Sequence, residues 1–195
     1  MRAVQSALVA SFLALAAGCA GSGDGTRLYV LSPTAAAAPA PADTAVMVAA
    51  VRIPQYLDRP QLVTRSSGHR LQIAEFDQWA GDLREDLTRV LADNLSRALG
   101  SARVVAVPQV LRTPAAFRVQ VELLAFERMA DGRVRLAARW WVTRGAEVAP
   151  IEGTRMTELF GAPLGDKPTA EATVASMSQV YGDFSRGVAA AIRGE

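Results

Sequence analysis

The chain contains almost no cysteine or histidine. Its 195 residues include one of each, Cys19 and His69. A single cysteine excludes a disulfide within the chain, and the two residues together cannot supply a zinc site of the cysteine–histidine type. His69 is predicted to lie in a hairpin turn, and no nucleophile motif accompanies it. The glycine-rich loops that bind phosphates are also missing, so the composition argues against an enzyme, a metal site and a nucleotide site.

A strong excess of one charge is missing as well. Lys and Arg number 21 against 19 Asp and Glu, which gives a formal net charge of +2. This excess is too small to attract a polyanion, and no nucleic acid partner is expected. Half of the residues are hydrophobic and 21% are charged, which is typical of a folded domain. The length predicts one hydrophobic core rather than two.

The first hydrophobic run is too short to be a typical transmembrane helix. It follows Arg2, covers residues 3–17 and ends in small residues, whereas a helix needs about 20 apolar residues to cross a bilayer. This pattern predicts a signal peptide over residues 1–18. The segment Leu15-Ala16-Ala17-Gly18-Cys19 resembles the bacterial lipobox, in which the cysteine thiol accepts diacylglycerol. We therefore expect a covalent lipid on Cys19 and no other cofactor; the alternative is that Cys19 is an ordinary small residue of the signal peptide.

The residues after Cys19 bear on where such a protein would be held. Residues 20–25 are small and suit a flexible tether. Lipoproteins retained in the inner membrane tend to have aspartate after the cysteine, whereas this chain has Ala20. The expected location is therefore the outer membrane, with the domain facing the periplasm.

The mature chain is predicted to consist of a leading segment and one domain. Residues 19–43 comprise Cys19, a short strand at Leu28–Leu31 and an Ala/Pro-rich linker, and residues 44–195 form a single α+β domain. Hydrophobic periodicity predicts two amphipathic helices, one from Gln78 to Leu99 capped by Asp77 and one opened by Pro168 and Thr169. The predicted strands are 44–51, 61–65, 69–74, 103–107, 117–126, 133–142 and 153–160. The expected fold is a two-layer sandwich in which both helices cover one face of an antiparallel-rich mixed sheet.

Two groups of residues are candidates for binding a partner. The first lies between Pro54 and Pro60, where two prolines stiffen a loop that contains an aromatic, an apolar and two charged residues: Tyr56, Leu57, Asp58 and Arg59. The second is one face of a predicted strand and consists of Arg133, Arg135, Arg139 and Trp141. In the alternative interpretation, Tyr56 and Leu57 fold onto the core, Asp58 pairs locally, and the arginine row is an ordinary solvent face.

Two long motifs resemble one known family. Residues 53–65 and residues 71–83 closely resemble the signature of the ABC-type transport auxiliary lipoproteins, the family of paraquat-inducible protein C. The resemblance extends over nearly the whole chain. It implies a non-enzymatic lipoprotein of the outer membrane that works with inner-membrane transporter components and with an MCE-domain protein that carries lipids across the periplasm. It carries no catalytic residues.

The sequence also leaves two other functions and the oligomeric state open. The chain could be a stand-alone lipoprotein that binds a lipid or another small ligand, provided that an apolar cleft exists between helices and sheet. A peripheral hydrolase would need a nucleophile and base for which His69 alone barely suffices. A homo-oligomer is possible with either membrane-bound function.

Overall fold

The computed structural model describes residues 25–38, 40–109, 111, 114–145, 153–165 and 167–194. The predicted signal peptide and the predicted lipidation site, Cys19, lie outside these residues. Between Gly25 and Gly194 the described chain forms eight strands and two helices. The strands are β1 Arg27–Tyr29, β2 Val46–Val48, β3 Gln61–Ser67, β4 Arg70–Trp79, β5 Val104–Ala106, β6 Phe117–Arg128, β7 Val134–Arg144 and β8 Arg155–Phe160. The helices are α1 Leu83–Leu99 and α2 Ala170–Arg193.

All eight strands belong to one mixed sheet. The long ladders are antiparallel and join β3 to β4, β6 to β7 and β7 to β8. The short ladders are parallel: β1 pairs with β4, β2 pairs with both β5 and β6, and β3 meets β6 at one bridge between Thr64 and Arg128. One side of β6 therefore carries β7, and the other carries β2 at one end and β3 at the other.

Both helices pack against each other and against the sheet. α2 contacts β6, β7 and β8, while α1 contacts β2 and β5. One core includes the apolar stripes of both helices and the inward residues of the strands. Its centre is aromatic: the Tyr181 ring lies 5.8 Å from that of Phe126 and 5.9 Å from that of Phe184, with Trp140 6.0 Å from Phe184. The predicted α+β fold with two helices and a mixed sheet is confirmed.

The predicted start of the first helix is wrong by one turn. Asp77 is not its cap, because β4 continues to Trp79 and Asp77 lies inside that strand. Asp82 caps α1 instead, and its side chain accepts hydrogen bonds from the backbone N–H groups of Arg84 and Glu85. The sequence did contain this signal, since Gly81 interrupts the pattern and Asp82 is followed three residues later by Glu85. Asp77 is used elsewhere, because β1 pairs with the end of β4.

The Ala/Pro-rich segment after β1 is extended and lies across both helices. Leu31 and Ala35 are buried in it. The N–H groups of Thr34 and Ala35 both donate to Asn94 Oδ1 on α1, each at 2.9 Å, and the N–H of Ser32 donates to Ser178 Oγ on α2 at 3.1 Å. The approach to α2 is so close that a Cβ atom on Gly182 would lie 2.1 Å from Thr34 Oγ1. The segment therefore ties the two helices together.

Replacing Asn94 by alanine is expected to loosen this segment. Asn94 is fully buried, so its loss leaves two backbone donors without an acceptor, at a cost of about 2 kcal/mol in the free energy of unfolding. Hydrogen exchange should become faster at the Thr34 and Ala35 amides while the centre of α1 stays protected. Asp93→Ala, a change at the neighbouring surface residue, serves as the control and should shift stability by less than about 0.5 kcal/mol. Unchanged exchange at Thr34 in Asn94→Ala would show that the contact is unimportant.

Candidate functional site

The proline loop, residues 53–60, is the first candidate surface, and its apolar members turn inward. Residues 55–57 form one 3-10 turn between the two prolines. Leu57 is buried in the core, and Tyr56 is half-buried against it. The backbone N–H of Trp79 donates to the Pro60 carbonyl at 2.7 Å, which ties the end of the loop to the end of β4. The contacts of Tyr56 and Leu57 with the hydrophobic core therefore hold the loop against the domain.

A buried carboxylate holds the loop in this position. Glu127 on β6 is fully shielded from solvent. Its Oε2 accepts a hydrogen bond from the Tyr56 hydroxyl at 2.7 Å, and its Oε1 accepts one from Arg65 Nε at 2.8 Å. Burial, followed by the hydrogen bond to the carboxylate, raises the pKa of Tyr56 well above its usual range, so the hydroxyl stays a donor. Sequence analysis missed Glu127, because it lies 71 residues from Tyr56.

The charged members of the loop lie at its surface. Asp58 does not pair with Arg59. It accepts a hydrogen bond from Arg84 on α1 at 2.6 Å, and both side chains of this ion pair are about half exposed. Arg59 is half-buried, and its Nε is shielded from water with no hydrogen-bond partner. Among the described residues, no carboxylate pairs with the Arg59 guanidinium, so this loop presents one cation that is not neutralised nearby.

The arginine row consists of Arg135 and Arg139 on β7 and of Arg133 just before it, and we call it the β7 row. It differs from the proline loop, because each of its arginines has a carboxylate partner. Arg135 donates to Glu158 on β8 at 2.7 Å, and Arg139 donates to Glu122 on β6 at 3.3 Å. Arg133 pairs with Asp131 at 2.7 Å and stacks over the Phe160 ring at 4.9 Å. Trp141 is half-buried on the same strand. The row is locally neutral rather than a positive stripe, and its role in binding a partner stays a prediction.

The edge strand β1 carries a smaller polar cluster. Asp77 on β4 accepts from Arg27 Nε at 2.7 Å and from the Tyr29 hydroxyl at 2.9 Å. The hydrogen bond from Arg27 is the main reason that the pKa of Asp77 lies below its usual range. These contacts join β1 to β4, although Arg27 and Asp77 are 50 positions apart in the sequence.

This cluster predicts a small dependence of stability on acid. A carboxylate whose pKa is lowered in the folded state stabilises that state above the unfolded pKa of about 4, and the contribution is lost as the pH falls through the folded pKa. Asp77→Asn should therefore lower the unfolding free energy at pH 6 by at most about 1 kcal/mol, because Arg27 is half-exposed, and should have less effect near pH 2. Denaturant unfolding between these pH values measures it. An equal loss at both ends would contradict the ionic explanation.

The described residues also form a groove and a cavity that the sequence does not predict. An open groove of about 960 Å³ runs between the end of β1, the first turn of α1 and residues 106–109. A smaller cavity of about 380 Å³ lies between the β3–β4 hairpin and the start of α2. Arg128 lines the smaller cavity, and its Nε is shielded from solvent with no hydrogen-bond partner. Ile73 and Phe76, which are 50% and 40% exposed, line it as well.

Clusters of metal-ligating side chains do not occur in the part of the chain that the structure describes. No three His, Cys, Asp or Glu residues there are placed to hold one ion. Across the same residues, neither helix is long and apolar enough to cross a membrane.

Comparison with known protein families identifies the chain. The model of the ABC-type transport auxiliary lipoprotein component matches residues 29–189. The chain belongs to this family. It is therefore a lipoprotein, a class held at membranes by its lipid, and an auxiliary component of ABC-type transport. The matched residues include the proline loop and Glu127. Among proteins with curated functions, none matches this chain.

Solved structures share the fold of this auxiliary lipoprotein. The crystal structure of an uncharacterised protein superimposes with a TM-score of 0.69 and 23% identity, over 87% of this chain and 99% of the other. Protein XCC0632 from Xanthomonas campestris, assigned to the family DUF330, gives a TM-score of 0.67 and 13% identity over 84% of this chain and 93% of its own. At these identities the likeness establishes the shared fold alone.

Proposed function

We propose that this auxiliary lipoprotein is a non-catalytic docking component of the outer membrane. It is anchored through a lipid on Cys19, faces the periplasm, and holds the MCE-domain protein of a lipid transport system whose other components lie in the inner membrane. Membership of the transport auxiliary family supports the transport part of this proposal. The proline loop supports the docking part, because it is rigid and carries a guanidinium with no carboxylate partner among the described residues.

The single observation that carries the docking proposal is the state of Arg59. No carboxylate pairs with the Arg59 guanidinium among the described residues, and Nε is its one nitrogen that is both shielded from solvent and without a hydrogen-bond partner. Its two terminal nitrogens can therefore donate to an acceptor on a partner protein. Tyr56 and Leu57 fix the loop, so little conformational entropy is lost when Arg59 binds. Arginine is also among the residues that contribute most to protein interfaces. Asp58 and Arg84 would lie beside this contact as a neutral pair.

Crosslinked affinity purification of the lipidated protein from its native membranes tests the proposal. The wild-type protein should capture an MCE-domain protein, and Arg59→Ala should lower that capture about tenfold, which is the effect of losing about 1.4 kcal/mol. Arg97→Ala, an exposed arginine on α1, is the matched control and should capture as the wild type does. Tyr56 is left unchanged, because its loss would disturb the loop itself.

The outcomes separate two parts of the proposal. If wild-type protein captures no MCE-domain protein, the transport partner is wrong. If Arg59→Ala captures it as well as Arg97→Ala does, the docking function stands but the loop is not the contact. Thermal unfolding of both variants checks that each remains folded.

A second candidate function is binding of a small ligand, and the cavity beside Arg128 favours it. Its volume of about 380 Å³ falls in the range of ligand pockets, which is about 300 to 1,000 Å³. Arg128 offers a donor for an anionic group, and Ile73 and Phe76 offer an apolar wall. Glu75 also lines the cavity and would repel an anion, and the Arg27–Asp77 pair there is neutral. An anionic group would therefore have to bind Arg128 itself. Native mass spectrometry of the purified protein would reveal a bound amphiphile, and Arg128→Met should release it.

A further inference from the structure

An apolar patch lies at the point where the tether meets the domain. Leu28 and Val30 are 63% and 55% exposed, the first being the most exposed of the large hydrophobic residues that the structure describes. They are two residues apart in extended chain, so their side chains point to the same side. The residue opposite Leu28 on β4 is the uncharged Gln78. Phe76, which is 40% exposed, lies two residues before Gln78 on the same strand. We call Leu28 and Val30 the β1 patch.

The length of the tether limits what this patch can touch. Gly25 is six positions after Cys19, and six residues span at most about 20 Å when fully extended. β1 begins only two residues later, at Arg27. The strand next to the lipid anchor is therefore the one that exposes Leu28. Tethering also gives the patch a high effective concentration at the membrane, so a contact too weak to bind a free protein becomes populated.

The charged pair beside the patch is neutral, because Arg27 and Asp77 pair at 2.7 Å. The neighbouring groove, which Val30 also lines, contains Arg84 and Arg89, and both are paired with aspartates. The groove also contains Glu85, whose carboxylate has no cation partner among the described residues, but Glu85 lies on α1 and does not interrupt the patch. An apolar patch beside a neutral ion pair suits the interface between headgroups and acyl chains.

We propose that the β1 patch lies against the lipid bilayer that holds the Cys19 anchor, and so sets the orientation of the domain on the membrane. This inference rests on the lipid anchor of the proposed function and goes beyond it. The strands β8, β7, β6, β3, β4 and β1 follow one another across the sheet, which places β8 about 24 Å from β1 along the hydrogen-bonding direction. The β8 edge then points away from the membrane, toward the periplasm.

The chain offers a matched pair of positions for the test. Leu28 on β1 and Met156 on β8 are 63% and 62% exposed, so labels at the two sites start from the same solvent access. In the lipidated protein the sulfur of Cys19 is consumed, and no other cysteine is present. A fluorophore attached to Leu28→Cys or to Met156→Cys therefore reports on one site only.

The experiment uses the full lipidated chain in vesicles of phosphatidylethanolamine and phosphatidylglycerol at about 3:1, with a fraction of the lipids carrying a nitroxide quencher high on the acyl chain. Flotation with the vesicles first shows that the anchor is present. The label at Leu28→Cys should be quenched at least fivefold more strongly than the label at Met156→Cys, and its emission should shift to the blue only when vesicles are present.

Three results would overturn the inference. Equal quenching at the two sites means that the domain has no preferred orientation. A blue shift at Leu28→Cys that depends on protein concentration and is not quenched by the lipids means that a second copy covers the patch. Failure to float removes the lipid anchor itself, and the inference falls with the proposed function. A floating protein without selective quenching leaves the anchor intact and rejects the patch alone.

Discussion

Replacing Glu127 by alanine is expected to lower the free energy of unfolding by about 3 kcal/mol, the lower end of the range for removing one partner of a buried ion pair. The change leaves the Arg65 guanidinium and the Tyr56 hydroxyl without their acceptor, and the Phe126 backbone N–H also loses a contact of 2.9 Å to Oε2. The side chain of Arg65 is 19% exposed, so water recovers part of its hydration and keeps the loss from being larger.

Other variants of this site are expected to lower the free energy of unfolding by smaller amounts. Tyr56→Phe removes one hydrogen bond and should cost about 1 kcal/mol. Glu127→Gln keeps the shape of the side chain and an acceptor oxygen, and we expect an intermediate loss. Glu122→Ala is the matched control, because Glu122 lies on the same strand and pairs with Arg139 at the surface, where such pairs contribute about 1 kcal/mol or less.

Denaturant unfolding with a shared slope for all variants measures these differences. A loss below about 1 kcal/mol in Glu127→Ala, comparable to that in the Glu122→Ala control, would contradict the structural role of the buried carboxylate. Because Tyr56 and Arg65 are held by the same carboxylate, Glu127→Ala should also increase proteolysis or hydrogen exchange in the proline loop. The site that stabilises the domain is thus also the site that positions Arg59.

Replacing Cys19 by alanine is expected to remove essentially all of the protein from the membrane fraction. Without the thiol no acyl group can be attached, and each acyl methylene that enters the bilayer contributes about 0.8 kcal/mol. In the described residues neither helix can span a membrane, so no helix there replaces the lost anchor. Flotation of membranes, with labelled palmitate to report on the lipid, measures the effect. The variant should accumulate as a soluble or uncleaved form that carries no label.

Ala20→Asp is the informative companion variant. It preserves Cys19, so it should keep its lipid label and stay in the membrane fraction, but the sorting pattern of lipoproteins predicts that it moves from the outer to the inner membrane. Recovery of Cys19→Ala in the outer membrane at wild-type levels would refute the anchor. Unchanged sorting of Ala20→Asp would instead refute the reason for placing the protein in the outer membrane.

Several parts of the fold were predictable because their signals are local. Thr169 caps α2, and Gly100 ends α1 with a φ of +65°, as their positions in the hydrophobic pattern indicate. The alternation of apolar and polar residues over 117–126 and 133–142 predicts the β6–β7 hairpin, whose turn contains Gly132. In each case the residues that decide the conformation are within a few positions of one another, so the sequence pattern contains all the information required.

The errors and omissions have a common physical origin. The sequence pattern predicts Asp77 as a cap because aspartate before an apolar stripe favours one, but Asp77 lies inside β4, where Arg27 and Tyr29, some 50 residues away, bind its side chain. Asn94 lies in a predicted helix, yet its Oδ1 accepts hydrogen bonds from a segment about 60 residues earlier, and its Nδ2 donates to Ser185, 91 residues later. No local pattern shows that such groups will meet.

The sequence by itself therefore determined the α+β architecture, the family and the candidate surfaces. Tertiary structure alone decided what those surfaces present. It turned Tyr56 and Leu57 inward onto Glu127 and the core, paired each arginine of the β7 row with a carboxylate, and left Arg59 without one among the described residues. The reason is that composition and periodicity specify which residues are buried, whereas the pairing of buried and charged groups depends on which distant strands come to lie side by side.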